Sequence, residues 1–322
     1  VKKINKLTEL LGITYPVIQG GMGNVSNATL AAAVSNAGAL GMIGAGTMTP
    51  DQVEDIILET KRKTKKPFGV NIALSVSEHA EELLRLVIKH QIKNVSLSAG
   101  NPAPYISNLR EHHCIVMTVA GTVAQAVKAE KAGAHIVIGE GYEAAGINSL
   151  AETTTMAFIP QLKTAIKLPI IAAGGIGDGK GLAAAFALGA CGVQMGTRFI
   201  ATKESGMHAN YLSAILASKD DSTLIAGKTV NKRRRVLPTP YIENVLKAEE
   251  KGMTVSEYLA ATSEAHHVKG AVDGQLEEGF INGGQIAGLI KDIPLVEDLI
   301  LTMMTEAEVS LRAALSYLNI NR

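Results

Sequence analysis

Short apolar runs recur along the first two thirds of the chain, at 16–19, 39–44, 68–72, 94–97, 115–119, 135–138, 169–173 and 192–195. Between them lie longer stretches whose apolar positions return at helical spacing, at 27–36, 50–61, 77–90, 102–111, 122–132, 154–166 and 181–188. Such short runs suit parallel strands buried on both faces, and the amphipathic stretches suit the crossover helices that join them. Eight units about 25 residues apart predict an α/β fold, a (β/α)8 TIM barrel. A doubly wound sheet would want G-x-G-x-x-G after its first strand. The first run ends instead in Gln19-Gly20-Gly21-Met22-Gly23-Asn24, without that spacing.

After Phe199 the strand rhythm stops. Residues 206–283 are polar and helix-rich, and GGQIAGLI at 283–290 leads back to a last helix over 294–317. The pattern predicts a barrel of residues 1–205 plus 284–322, with a smaller, mostly helical substrate or lid domain at 206–283. The basic run Lys232-Arg233-Arg234-Arg235 reads as a solvated helix end or loop. Its alternative is a handle for an anionic group: an acyl carrier protein, a CoA phosphate or the 2′-phosphate of NADPH.

Composition narrows the partners. The 322 residues are 47% hydrophobic and 19% charged with a formal net charge of +1, which gives no reason to expect nucleic acid. An apolar run of about 20 residues, the length that crosses a membrane, does not occur. Cys114 and Cys191 sit in strand-like surroundings without a CxxC or Cys/His cluster, so buried thiols and no metal are expected. A cytoplasmic protein acting on a small molecule fits best, and a homodimer is a compatible assembly.

A barrel places its chemistry at the C-terminal ends of its strands. Those ends carry Gln19 to Met22, Gly44-Ala45-Gly46, Asn71, Ser98 to Asn101, Thr118, Glu140-Gly141, Gly174-Gly175 and Gly196-Thr197. The set is rich in glycine and amides and poor in charge, with no triad and no lysine for a Schiff base. Gly174-Gly175 and Gly196-Thr197 follow the last two strands, where backbone N–H groups and a helix N-terminus favour a phosphate. A flat, uncharged ring on a phosphate handle suits this rim, and FMN is the natural candidate. Glu140 and Glu143 serve as acids only if burial raises them. Of the histidines, His208 follows the eighth strand, close enough in sequence to reach the barrel mouth, although a surface or capping role fits it better. His266-His267 is expected to be exposed, and His112-His113 to lie at the barrel bottom.

Taken in order, QGGM (19–22), FGVN (68–71), SAGNP (98–102), EGYEAAG (140–146), AAGGIGDGKG (172–181) and MGTRF (195–199) resemble the nitronate monooxygenase family, which includes the FMN-dependent enoyl-ACP reductases II. KESGMH (203–208) and GGQIAGL (283–289) extend the likeness. The resemblance implies non-covalent FMN. Gln19, Gly20, Gly21 and Met22 would form its first loop, with Gly21 and Met22 against the ring. Asn71 and Thr118 would lie at polar positions and Ala145 would touch the flavin. Ala173, Gly174, Gly175, Gly196 and Thr197 would bind the phosphate.

One position departs from the family. Its sixth loop carries a histidine that is the implied catalytic residue, and here Ile147 stands in its place, followed by Asn148. Isoleucine transfers no proton, Asn148 can donate a hydrogen bond but has no useful pKa, and the catalytic residue is left unassigned with Asn148 and His208 as weak candidates. Nitronate oxidation with O2 tolerates this loss best, because its substrate is already deprotonated. The alternatives are NAD(P)H-dependent enoyl-ACP or enoyl-CoA reduction, NAD(P)H:quinone reduction, and a flavin-binding protein that has lost catalysis.

Overall fold

The structure is a computed structural model that describes residues 5–46 and 48–318. The outer bounds of the expected barrel domain, 1 and 322, lie outside the described residues. Twelve strands are defined among them: β1 (Val17–Gln19), β2 (Gly41–Gly44), β3 (Phe68–Ala73), β4 (Asn94–Ser98), β5 (Ile115–Ala120), β6 (Ile136–Glu140), β7 (Gly146–Ile147), β8 (Ile170–Ala173), β9 (Gly192–Met195), β10 (Leu224–Ala226), β11 (Arg234–Leu237) and β12 (Ile281–Asn282). Eight of these form one parallel sheet in the order β1-β9-β8-β6-β5-β4-β3-β2. A parallel bridge between Ile18 and Leu40 brings its two ends together. This is the (β/α)8 barrel that the alternation of runs predicts, and each of the eight runs lies on a barrel strand.

Strand residues are buried on both faces because the barrel is filled inside and clothed outside. Ile18, Met42, Met117, Ile138 and Ile171 form an inner cluster with Leu7 and Leu11 of the helix Lys6–Leu11, which closes the N-terminal end as a plug. A Cβ on Gly192 would stand 2.5 Å from Leu7 and 2.6 Å from the Pro16 carbonyl oxygen, so the entrance to β9 needs a glycine. Outside, helices such as Ala28–Asn36 and Pro50–Lys63 bury Leu30, Val34, Val53 and Ile57 against the strands. Thr49 caps the second of these with a reciprocal bond to Gln52, and Pro50 occupies its first turn. The long helix Val296–Tyr317 returns to pack on Gly179–Ala187.

The segment after β9 holds the helices Ala209–Ala217, Pro240–Glu250, Val255–Ala261 and Glu264–Ala271. It also holds three strands that the sequence pattern does not show. Antiparallel β10, β11 and β12 pair in that order, and β7, from the sixth barrel loop, pairs with β11 as well. Their shortness explains the miss, as does the charge run in which β11 begins. Arg234 and Arg235 are therefore strand residues, with Arg235 3% exposed, and not a solvated helix end or loop. No helix among the described residues is long and apolar enough to cross a membrane. Cys114 is buried and Cys191 half-buried, both as free thiols.

Candidate functional site

A cavity of about 930 Å³ opens at the C-terminal ends of the barrel strands, with residues of the small sheet along one side. Gly174 and Gly175 border it with φ of 91° and 72°. A Cβ on Gly174 would lie 2.9 Å from the Gly141 carbonyl oxygen and 3.1 Å from the Ala144 nitrogen, so backbone approaches backbone where a side chain would intrude. The N–H groups of Gly174, Gly175, Gly196 and Thr197 have no turn or loop acceptor among the described residues. They supply the donors an anion needs.

The N-terminus of the helix Gly179–Ala187 is not available to that anion. Asp178 accepts from the Gly181 N–H at 2.8 Å and Glu306 from the Gly179 N–H at 3.1 Å. Two carboxylates already satisfy that helix end, and a phosphate is left the amides of Gly174 and Gly175 and those of Gly196 and Thr197, which open the short helix Thr197–Ile200. Thr197 Oγ1 accepts from the Gly284 N–H at 3.0 Å, which leaves the hydroxyl proton free to donate.

The rest of the rim is amide-rich and partly unsatisfied. Gly21 lies directly against Asn71. The Asn71 amide donates to Ser96 Oγ at 3.1 Å and Ser98 Oγ at 3.2 Å. Thr118 Oγ1 and Asn148 Oδ1 are buried without a hydrogen-bond partner, and both residues line the cavity. An orphaned buried polar atom costs about 1–3 kcal/mol. A ligand with polar edges, placed where Thr118 and Asn148 point, would relieve both. The glycine cradle and these orphaned oxygens fit a flavin mononucleotide. Met22, Ala145 and Ala173 add apolar surface to the same cavity.

Three expected site residues lie elsewhere. Gln19 is fully buried, donating to Ser26 Oγ at 2.7 Å and to the Gly20 carbonyl while accepting from the Met42 N–H at 3.1 Å. The Gly20 N–H is bound to the Met195 carbonyl at 2.8 Å. Both brace the first loop from below and neither lines the cavity. His208 is exposed and caps Ala209–Ala217, its Nδ1 accepting from the Asn210 N–H at 3.1 Å.

The histidine that does face the cavity is His267, which the pattern assigned to the surface. It is 4% exposed, with Nδ1 3.2 Å from Glu264 Oε1 and Nε2 3.1 Å from Asn282 Nδ2. Burial would raise the Glu264 carboxyl. Hydrogen bonds from His267 and Asn24 and the charges of His267 and Arg234 outweigh it and hold the carboxyl below its ordinary range. Glu264 is therefore an anion that orients the imidazole, as carboxylates do for catalytic histidines. Neighbouring His266 stacks on Tyr241 at 4.7 Å instead.

Of the two glutamates, burial pushes Glu140 up to about 7 at the cavity floor. Glu143 is committed to structure, accepting from the Thr155 N–H at 2.9 and 3.0 Å. The basic run divides residue by residue. Arg233 pairs with Glu152, Arg235 donates to the Tyr142 carbonyl at 2.9 Å and Thr223 Oγ1 at 2.8 Å, and Arg234 lines the cavity.

A family model described as nitronate monooxygenase matches residues 5–306. FabK from Thermotoga maritima is 39% identical, covering 97% of this chain and 98% of its own, with a TM-score of 0.92. The (3aS,4S,5R,7aS)-5-hydroxy-7a-methyl-1-oxo-octahydro-1H-indene-4-carboxyl-CoA dehydrogenase of Mycobacterium tuberculosis is 32% identical over 96% of this chain and 97% of that protein. A probable nitronate monooxygenase of Staphylococcus haemolyticus is 32% identical over 76% of this chain and 81% of that protein.

Proposed function

Because the chain belongs to the nitronate monooxygenase family, we propose that it is an FMN-dependent oxidoreductase acting on an acyl thioester. The reaction is reduction of an α,β-unsaturated acyl group, carried on CoA or acyl carrier protein, at the expense of NAD(P)H. The observation that carries this reading is the extent of the cavity. From the cradle at Gly174 and Gly196 it runs to Asn101 and Gln125, beyond β4 and β5 on the opposite side of the barrel order. A pocket at the upper end of the ordinary range for ligands has space beside a flavin for an elongated second molecule. Likeness across nearly the whole chain to a protein named as a CoA-ester dehydrogenase supports the same class.

When bound, the flavin supplies hydride transfer between nicotinamide and substrate. The protein's own residues do the rest. The loop amides of Gly174, Gly175, Gly196 and Thr197 hold the phosphate. Thr118, Asn71 and Asn148 meet polar edges, and the Glu264–His267 pair holds a proton at the cavity wall. Ile147 contributes apolar surface only.

A second reading, oxidation of a nitronate with O2, is favoured by Ile147, since an anionic substrate needs no base at that position. One anaerobic experiment separates the two. The purified protein is expected to release FMN on denaturation, to bleach with NADH or NADPH, and to regain colour with crotonyl-CoA. Bleaching by propyl-2-nitronate and not by either pyridine nucleotide reverses the order of the two readings. A colourless protein that FMN cannot reconstitute removes both.

A further inference from the structure

The small sheet places a cation beside the position where the family's histidine is missing. Arg234 and Ile147 are directly paired across β11 and β7. Residues so opposed in an antiparallel pair project to the same face, with Cβ atoms about 4.5–5.5 Å apart. Both line the cavity. Asn282 shares that face, since it opposes Val236, two residues along β11 from Arg234.

Arg234 is also under-used. Its guanidinium has five N–H donors, yet its one side-chain hydrogen bond among the described residues runs from Nη1 to Asn282 Oδ1 at 3.3 Å. It lies 5.1 Å from the centre of the Phe280 ring. Burial works against its charge, while the nearby Tyr258 hydroxyl and Glu264 carboxylate support it. A half-buried cation with donors to spare, facing a ligand cavity, is built to meet an anion.

We propose that Arg234 binds the substrate oxygen that carries negative charge during the reaction, in place of the sixth-loop histidine that Ile147 has displaced. The inference rests on the flavin-oxidoreductase reading and deepens it. In thioester reduction, hydride from the nicotinamide donor ends on the β-carbon. The double-bond electrons move onto the carbonyl oxygen, and protonation of the α-carbon then restores the C=O bond. Arg234 forms no covalent bond. Its N–H groups are aimed at the oxygen where charge develops, and such placement is worth most in a water-poor site. A nitronate offers the same feature, a charged oxygen conjugated to the reacting carbon.

The test is equilibrium binding to the FMN-loaded protein without turnover. The probes are acetoacetyl-CoA, whose enolate has its own absorption band, and propyl-2-nitronate under anaerobic conditions; CoA and neutral 2-nitropropane are the controls. Arg234→Gln is expected to weaken one of the anions about 10- to 100-fold, the weight of a hydrogen bond to a charged group, while the controls bind as before. Loss confined to acetoacetyl-CoA, with its enolate band, identifies a thioester oxygen; loss confined to propyl-2-nitronate identifies a nitronate oxygen. Should Arg234→Gln fail to fold or to hold FMN, Arg234→Lys keeps the charge and removes the planar fork, and the same loss at several-fold is expected. Undiminished binding of both anions, or equal loss of those anions and of the controls, overturns the assignment. Absence of FMN from the wild-type protein instead overturns the functional reading beneath it.

Discussion

Thr197 accepts the backbone N–H of Gly284 at 3.0 Å, and this single bond ties the end of the barrel sheet to the segment that returns from the small sheet. Gly284 also packs against Glu143 and Ala145 of the sixth loop. Thr197→Val keeps the shape and deletes the acceptor, leaving the Gly284 N–H buried and unpaired at a cost of about 1–3 kcal/mol. A lower melting temperature and a weaker FMN dissociation constant, read by flavin fluorescence, are expected together. Thr197→Ser restores both, because its hydroxyl can accept and donate in the same way.

Glu140 gives the apoprotein a pH signature. Its carboxyl is raised from 4.5 to about 7 by burial, so the folded state holds the proton more tightly than the unfolded chain. The stability this contributes is complete below about pH 4.5 and is lost as the pH climbs through 7. The full effect is up to about 3 kcal/mol, taking about 1.4 kcal/mol per pH unit. Thermal melts of the apoprotein from pH 5 to 8 are expected to fall, and Glu140→Gln to flatten that slope. A slope equal in wild type and variant contradicts the assignment.

His267 is expected to matter for thioester reduction and not for nitronate oxidation. Only the first requires a proton at carbon, and general acid catalysis contributes about 100- to 10,000-fold. His267→Gln should lower kcat for crotonyl-CoA within that range, with FMN content and reduction by NAD(P)H unchanged. Glu264→Gln should lower kcat by a smaller factor, since it removes the anion that orients the ring. An unaltered kcat for crotonyl-CoA in both variants would show that the pair is structural.

The barrel was legible because its strands are continuous apolar runs, and Ile136 to Ile138 or Ile170 to Ala173 admit little else. The glycine cradle was legible for a related reason: Gly174 and Gly175 occupy backbone conformations that other residues avoid. Burial of His267 could not be read the same way. Its helix, Glu264–Ala271, buries little beyond His267, Gly270 and Ala271, so no apolar stripe marks its inner face. Nor could Arg234 be told from Arg233 and Arg235. Only strand alternation sorts the three, and the strand exists only because Gly146-Ile147 and Ile281-Asn282 come to meet it from distant parts of the chain.

The pairing of β7 with β11 also has a mechanical side. β7 belongs to the loop that carries Ala144 and Ala145 along the cavity, and β11 belongs to the segment inserted after the barrel. The two cannot hinge apart without breaking the pairs Arg234–Ile147 and Arg235–Gly146. Any swing of that segment to admit a bulky acyl carrier must therefore drag the sixth loop with it. Motion at the mouth would thus be transmitted to the wall of the cavity, and, on the flavin reading, the absorption of a bound FMN would register it.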